Sequence, residues 1–389
     1  NTLKTNKVYV PFLTFFVICV FVLAEDYGIS WDEDWHRTTG KRVGIFVGHK
    51  IGLFQDLTTD FPNQKIDVHG VVFDTIAASL EELLGLDDSR DIYFMRHKLN
   101  IIIYLIGAFS IYLFAQQIFK SNRYAIVALL FYLLNPRLFA NGFFNMKDSI
   151  VQSYVALTLY PAYLAFSTDV RKWFIVAGIF SGLCAATRIP LVYIPFYFTL
   201  ICIIKNYYSN DYKFFELSKY NKNIIYFNFI FFFSFYTFWP LLWNSPFQKF
   251  AEVFMLTKSY IIRNNQYFLG DYVNSAEVPI SYLPIWIGIT LPLIFLICFV
   301  GGTIKTINNW INNRIEIKNH FEVYLLISLF TPILAAIIFN STLYDSWRQF
   351  YFIYPFMVYF IVIGFKYVHS IIEKKLHSKS IIVFLSIAV

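Results

Sequence analysis

Residues 8–24 read Val-Tyr-Val-Pro-Phe-Leu-Thr-Phe-Phe-Val-Ile-Cys-Val-Phe-Val-Leu-Ala. Glu25-Asp26-Tyr27-Gly28-Ile29-Ser30-Trp31-Asp32-Glu33-Asp34-Trp35-His36 follows at once. The first stretch is long and apolar enough to cross a bilayer. Acidic side chains where such a helix leaves the membrane are costly to desolvate and invite a functional explanation. No small-residue cleavage site separates the two stretches, so Val8 to Ala24 reads as an anchor rather than a signal peptide.

Further apolar runs recur outward from this point. The chain has 389 residues, 57% hydrophobic and only 15% charged, which describes a polytopic membrane protein rather than a soluble core. Membrane helices are expected near 8–24, 98–119, 124–140, 149–167, 173–187, 190–204, 223–242, 284–304, 321–339 and 351–368, with an incomplete one from about 380. The fold expected is all-α, with about eleven or more transmembrane helices forming a single domain over 1–389. The first residue is not Met and the chain stops inside the run Ile381 to Val389, so a piece of a longer protein is expected.

The connections alternate in charge. About half of the 32 Lys and Arg fall in one set, from Lys4 and Lys7 through Lys120, Arg123, Arg171, Lys172 and Lys205 to Lys374 and Lys375. By the positive-inside rule these loops are cytoplasmic. The other side then holds 25–97, 135–148, 188–189, 243–283 and 340–350. The net charge of +7 is placed by this rule and gives no reason to expect nucleic acid. Within 25–97, Val43, Phe46, Val47, Ile51 and Phe54 recur at helical spacing, as do Phe73, Ile76, Ala77, Leu80, Leu83 and Leu84. Two amphipathic helices on the outer membrane surface are the expected reading, a packed helix pair the alternative. Gly178 and Gly182 permit close helix packing. Cys19, Cys184, Cys202 and Cys298 all lie in apolar segments and read as buried thiols.

The residues that could carry chemistry all fall on the outer side. Asp32 and Glu33 can divide into a general base and an orienting or metal-binding group; a solvated acidic loop is the plainer alternative. The hinge Asn135-Pro136-Arg137 to Asn145-Met146-Lys147-Asp148 brings Arg137 and Lys147, which suit a phosphate. Asp148 suits a metal or a sugar hydroxyl. Arg188 lies between two short apolar runs and should pair with an anion, whether ligand or resident carboxylate. Arg348 can fork onto phosphate, and Tyr344 can stack on a sugar or serve an aromatic belt. The histidines of the first loop lack the spacing of a helical metal site, with His69 the one placed to matter. No phosphate-binding glycine loop, dinucleotide fingerprint or nucleophile elbow is present, which leaves ATPase, dehydrogenase and serine hydrolase readings without support.

Five pieces in this order resemble the GT-C membrane glycosyltransferases, specifically the family 39 type of protein O-mannosyltransferases and aminoarabinose transferases. They are Gly28-Ile29-Ser30-Trp31-Asp32-Glu33; the 135–148 hinge; Thr187-Arg188 before Pro190; Tyr267-Phe268-Leu269-Gly270 with Tyr282-Leu283-Pro284-Ile285-Trp286; and Tyr344-Asp345-Ser346-Trp347-Arg348. The resemblance implies a GT-C fold in a bacterial inner membrane with the active site facing outward. It implies a hexosyl- or pentosyltransferase that inverts at the anomeric carbon. The donor would be a polyprenyl-phosphate sugar and the acceptor a lipid, glycan or protein. Asp32 matches the general base and Asp148 the acid of the second outer loop. Family members often carry a His-Pro-Pro element where this chain reads Asp67-Val68-His69-Gly70. No cofactor is required by the resemblance; a divalent cation is left open, with Asp32 and Asp148 its ligands if one is used. A transporter or flippase of polyprenyl-linked glycans is the alternative, against which stand the crowding of charge on one face and the lack of internal repeats.

Overall fold

The computed structural model describes residues 16–52, 70–209, 219–259, 264–312 and 320–375. It is an all-α bundle of apolar helices, with one small hairpin among the described residues. Residues 16–23 form α1. There follow α2 (Glu33–Lys50), α3 (Val72–Leu83), α4 (Ser89–Phe119), α5 (Asn122–Leu133), α6 (Pro136–Phe144), α7 (Asp148–Thr168), α8 (Arg171–Thr187), α9 (Tyr193–Ser209), α10 (Lys219–Thr237) and α11 (Pro246–Ser259). The hairpin β1 (Asn265–Phe268) and β2 (Asp271–Asn274) precedes α12 (Tyr282–Thr290), α13 (Leu293–Asn312), α14 (His320–Ile338) and α15 (Tyr354–Lys375).

Five of the described helical segments are long and apolar enough to span a membrane: Ser89–Phe119, Ile189–Tyr208, Leu293–Asn312, His320–Ile338 and Arg348–Ile372. The pair α5 and α6, bent by 65°, makes a sixth if counted as one broken span. The expected count of eleven is therefore not reached by length and composition among the described residues. The helix expected near 380 lies outside them, as do residues 8–15 of the first expected helix. Three further shortfalls have local causes. The run at 124–140 breaks before Pro136, which lacks an amide hydrogen and drives the preceding residue out of helical geometry. The run at 284–304 breaks at Leu291, extended before Pro292. Helix α7 buries Asp148, Ser149, Gln152 and Ser153 inside the bundle, so its apolar character is diluted by residues that face protein rather than lipid.

The break in α5 leaves carbonyls without helical partners. Two buried tyrosines repair it: Tyr104 donates to the Tyr132 oxygen at 2.9 Å and Tyr354 to the Phe131 oxygen at 2.5 Å. On the far side Asn135 caps α6, its side chain accepting from the Leu138 amide at 3.3 Å. The bend is thereby fixed in the core, and it aims α6 across one end of the bundle.

Small residues set the helix separations. A Cβ on Gly302 would lie 1.9 Å from the Phe360 carbonyl, and one on Gly364 would lie 1.8 Å from that of Cys298, so α13 and α15 touch backbone to backbone. Gly178 and Gly182 meet α10 in the same way, at the Phe227 carbonyl and Ser234. The four cysteines are free; Cys184, Cys202 and Cys298 are buried, whereas Cys19 is only half-buried.

The first long loop is more structured than its periodicity suggests. Helix α2 starts at Glu33, at the acidic block itself, and α4 starts at Ser89 rather than near 98. Helices α2 and α3 pack on each other and α3 on α4, as a helix pair does. Gly40 makes the first contact so close that a Cβ would sit 2.2 Å from the Asp74 carbonyl oxygen. Arg37 forks onto Glu81 at 2.5–3.1 Å and Lys41 reaches the same carboxylate at 2.7 Å. Burial opposes ionisation of Glu81, but these two cations hold its carboxyl below the ordinary range.

Candidate active site

The site is built where four connections meet at one end of the bundle. Asp32 occupies the N-cap position of α2. The hinge between α6 and α7 supplies Asp148, the first residue of α7. The end of α8 supplies Arg188, and the segment before α15 supplies Asp345 and Arg348.

Each is held by local chemistry. Asn145 ties the hinge: its side-chain oxygen accepts from the Asp148 amide at 2.8 Å, and its amide group donates to Asn141 at 3.1 Å and to the Asp148 carboxylate at 3.3 Å. Asp345 and Ser346 both adopt left-handed backbone, with φ of 52° and 61°, a strained pair for residues other than glycine. The hairpin holds this turn. Gln266 accepts from the Asp345 amide at 3.0 Å and from the Tyr282 hydroxyl at 2.7 Å, and that hydroxyl accepts from the Ser346 amide at 3.1 Å. The hairpin itself closes on Leu269 and Gly270, both at positive φ, as a two-residue connection requires.

Guanidinium groups and carboxylates then alternate. Arg348 sits 2.9 Å from Asp32, 3.3 Å from Asp345 and 3.9 Å from Asp148. Arg188 pairs with Asp148 at 2.5 Å and donates to the Gln349 carbonyl at 2.8 Å, while its buried Nε has no partner among the described residues. Arg137 donates to the Tyr351 hydroxyl at 2.8 Å and to Ser346, and lies 3.7 Å from Asp345. Tyr344 lies under the Arg348 guanidinium, 5.2 Å from ring centre to carbon. Lys147 is half-buried, and its ammonium makes no ion pair among the described residues. Burial first, and then Arg188, bring it down to about 7, against the pull of Asp148. A cavity of about 310 Å³ opens beside this network, lined by Ser30, Trp31, Asp32, His36, Asn141, Phe144, Asn145, Met146, Asp345 and Arg348.

The structure thus gathers Asp32, Asp148, Arg137, Arg188, Arg348 and Tyr344 into one region, with Lys147 next to Asp148. Glu33 is not among them. It is buried at 1% exposure and accepts from His97 Nε2 at 2.9 Å and from the Ser30 amide at 2.7 Å. Its part is to pin the start of α2 to α4, not to face the cavity. The reason is helical: Glu33 follows Asp32 by about 100°, so the two carboxylates leave the helix in different directions. His69 lies outside the described residues. The Arg348 guanidinium stands between Asp32 and Asp148, 2.9 Å from the first and 3.9 Å from the second. No group of three His, Cys, Asp or Glu that could hold a metal occurs among the described residues.

Asp345, His36, Asp74 and Arg96 join the expected residues at this site. Asp345 lies within the Tyr344 to Arg348 motif, and His36 follows Asp32 by four, a spacing that puts both on one helix face. Asp74 and Arg96 gave no signal, since only the packing of α2, α3 and α4 brings them together.

Residues 76–217 match the family described as dolichyl-phosphate-mannose-protein mannosyltransferase. The fold is similar to ArnT from Cupriavidus metallidurans, solved bound to undecaprenyl phosphate, at TM-score 0.57 and 12% identity over 92% of this chain and 59% of that one. Against ArnT in the apo state the TM-score is 0.60, with the same identity and coverage. An Archaeoglobus fulgidus oligosaccharyltransferase, tethered by a disulfide to an acceptor peptide containing the NVT sequon, aligns at 0.52 and 12% identity over 94% of this chain and 51% of that one. The chain therefore spans about three fifths or less of the solved proteins it matches. No curated protein sequence matches it. At such identity the likeness is one of fold: this is a polytopic membrane protein with the GT-C fold.

Proposed function

We propose that the protein transfers a hexosyl or pentosyl group from a polyprenyl-phosphate-linked donor to a hydroxyl of a lipid, glycan or protein acceptor. The membrane is taken to be a bacterial inner membrane, with the site on its outer face. The observation that carries this reading is the pairing of Asp32 with Arg348 on the wall of an open cavity. The ArnT structure with undecaprenyl phosphate supports the donor class.

The chemistry follows from the charges. A phosphate leaving group has a low proton affinity and needs no general acid, but the charge it gains must be neutralised. Arg348, Arg188 and Arg137 converge on the cavity end of the bundle, and Lys147 stands beside them. The Nε of Arg188, a donor without an acceptor among the described residues, would be satisfied by a phosphate oxygen. A donor phosphate competing for Arg348 frees Asp32, whose carboxylate then takes the acceptor hydroxyl proton. The acceptor oxygen attacks the anomeric carbon from the face opposite the phosphate. That bond forms as the carbon–phosphate oxygen bond breaks, through an oxocarbenium-like transition state, so configuration inverts. Asp148, held by Arg188 and Asn145, orients the sugar or the acceptor.

The test uses the purified protein in lipid with a panel of radiolabelled polyprenyl-phosphate sugars and a membrane extract as acceptor. Label entering a new product with wild type but not with Asp32→Asn is the expected result. Carrier-dependent movement of label across the bilayer without a new product would establish a flippase instead.

A further inference from the structure

Next to Asp32 the cavity wall carries a titratable group that the transfer above does not use. His36 follows one helical turn later, its amide donating to the Asp32 backbone oxygen at 3.0 Å, and it lines the same cavity. Its Nδ1 lies 3.2 Å from the Asp74 carboxylate. A carboxylate only accepts, so Nδ1 carries the hydrogen and the neutral ring keeps its lone pair on Nε2. That nitrogen makes no hydrogen bond among the described residues. Asp74 is buried and is held from behind by Arg96 at 3.2 Å. Arg96 is itself completely buried, with Nε against the Met146 sulfur at 3.3 Å and Nη1 without a partner among the described residues.

Burying this chain of groups is expensive. Joining α2 to α3 does not require it, because Arg37 and Lys41 already link those helices through Glu81. What the buried chain achieves is a fixed tautomer and a free Nε2 at the cavity. Such a group is pre-set to accept a proton and to have the resulting imidazolium stabilised by the carboxylate behind it.

We propose that His36, oriented by Asp74, receives the proton that Asp32 takes from the acceptor and passes it to water in the cavity. The proposal rests on the reading of Asp32 as general base. In the first step the acceptor O–H bond breaks and its proton goes to the Asp32 carboxylate, while the acceptor oxygen bonds to the anomeric carbon and the departing phosphate takes the other electron pair. In the second, the proton moves from Asp32 to His36 Nε2, then to water. Until it leaves, a neutral Asp32 cannot pair again with Arg348, and the site is not reset. The charged groups around His36 are Asp32 on its own helix, Asp74 on α3, Arg96 of α4 behind Asp74, and Asp345 and Arg348 across the cavity.

The experiment measures kcat and KM from pH 5.5 to 8.5 in lipid for wild type, Asp32→Asn, His36→Gln and His36→Ala with and without imidazole, with thermal unfolding of each. His36→Gln, whose amide can still donate to Asp74, should lose on the order of 10²-fold in kcat with little change in KM, and should lose the acid limb of the wild-type profile. Imidazole should restore part of the His36→Ala rate, more so as pH rises and the added base becomes neutral. A His36→Gln enzyme with wild-type kcat at every pH, beside an inactive Asp32→Asn, overturns the relay alone. So does a folded His36→Ala that imidazole leaves unchanged; if that variant does not fold, the His36→Gln profile decides. Wild type that transfers from no donor overturns the reading of Asp32 itself.

Discussion

At the scale of single residues the site is a balance of paired charges, and each pair has a measurable consequence. Removing the Asp32 carboxylate takes away the base but leaves the fold, because that side chain is 43% exposed and its loss strands no buried donor. Asp32→Asn should cut turnover by roughly 10²–10⁴-fold with the unfolding temperature unchanged, checked by transfer assay and thermal melt. Arg348 is different: it joins three carboxylates. Arg348→Ala should raise KM for the donor and also destabilise the fold, since Asp148 loses a counter-charge in a buried place. Lys147 adds a pH signature. Its ammonium lies near 7 in the fold and near 10.4 in an unfolded chain, so the unfolded state holds the extra proton between these values and stability rises with pH across that window. A bound phosphodiester, whose own charge is constant there, pulls the proton back onto Lys147. Donor affinity should therefore weaken above pH 7 by up to tenfold per unit, and Lys147→Met should flatten the dependence; binding titrations from pH 6.5 to 9.5 read both.

At the scale of elements, α2 supplies one wall of the cavity, and its contact with α3 is tightest where Gly40 meets the Asp74 backbone. Gly40→Ala must push the helices apart at Asp74. The expected cost is about 1–3 kcal/mol of stability, together with a fall in kcat as His36 loses its partner; a melt and a transfer assay measure the two. The Glu81 carboxyl is held below the ordinary glutamate value of about 4.3. A depressed carboxyl contributes stability that is complete above the unfolded value and disappears as pH falls through the folded one. Glu81→Gln should thus lower the melting temperature at pH 7, and by progressively less as the pH is lowered through the acid range. The hairpin acts on the opposite wall. Through Gln266 it holds the left-handed turn at Asp345 and Ser346, so a short piece of β structure fixes the angle at which Arg348 enters the cavity.

At the scale of the whole molecule, the two ends of the bundle carry different chemistry. One gathers Asp32, Asp148, Arg188 and Arg348. The other holds Arg171 at its Asn223 contact and Lys205 against the Phe166 carbonyl. Helix α8 has 17 residues, so its length separates Arg171 from Arg188 by about 25 Å at 1.5 Å per residue. If the site faces outward, a cysteine at Trp31, which is 98% exposed, should be labelled from outside intact cells, and one at exposed Lys172 only after the membrane is opened. Cys19→Ser provides the background, since the other three thiols are buried.

The sequence alone determined what depends on neighbours along the chain. Apolar runs identified a membrane bundle because lipid admits little else over those lengths. The five ordered pieces around Asp32, the hinge, Arg188, the hairpin and Arg348 pointed to the GT-C fold, while the helices expected over 124–140 and 284–304 ran through Pro136 and Pro292, where the chain in fact breaks. Only the tertiary structure decided the pairings: that Glu33 turns to His97 while Asp32 faces Arg348, and that Asp74 of α3 and Arg96 of α4 stand behind His36. A carboxylate's partner is chosen by distances between segments far apart in the chain, and those distances come from backbone contacts such as Gly40 on Asp74, which leave no periodic trace in the order of residues.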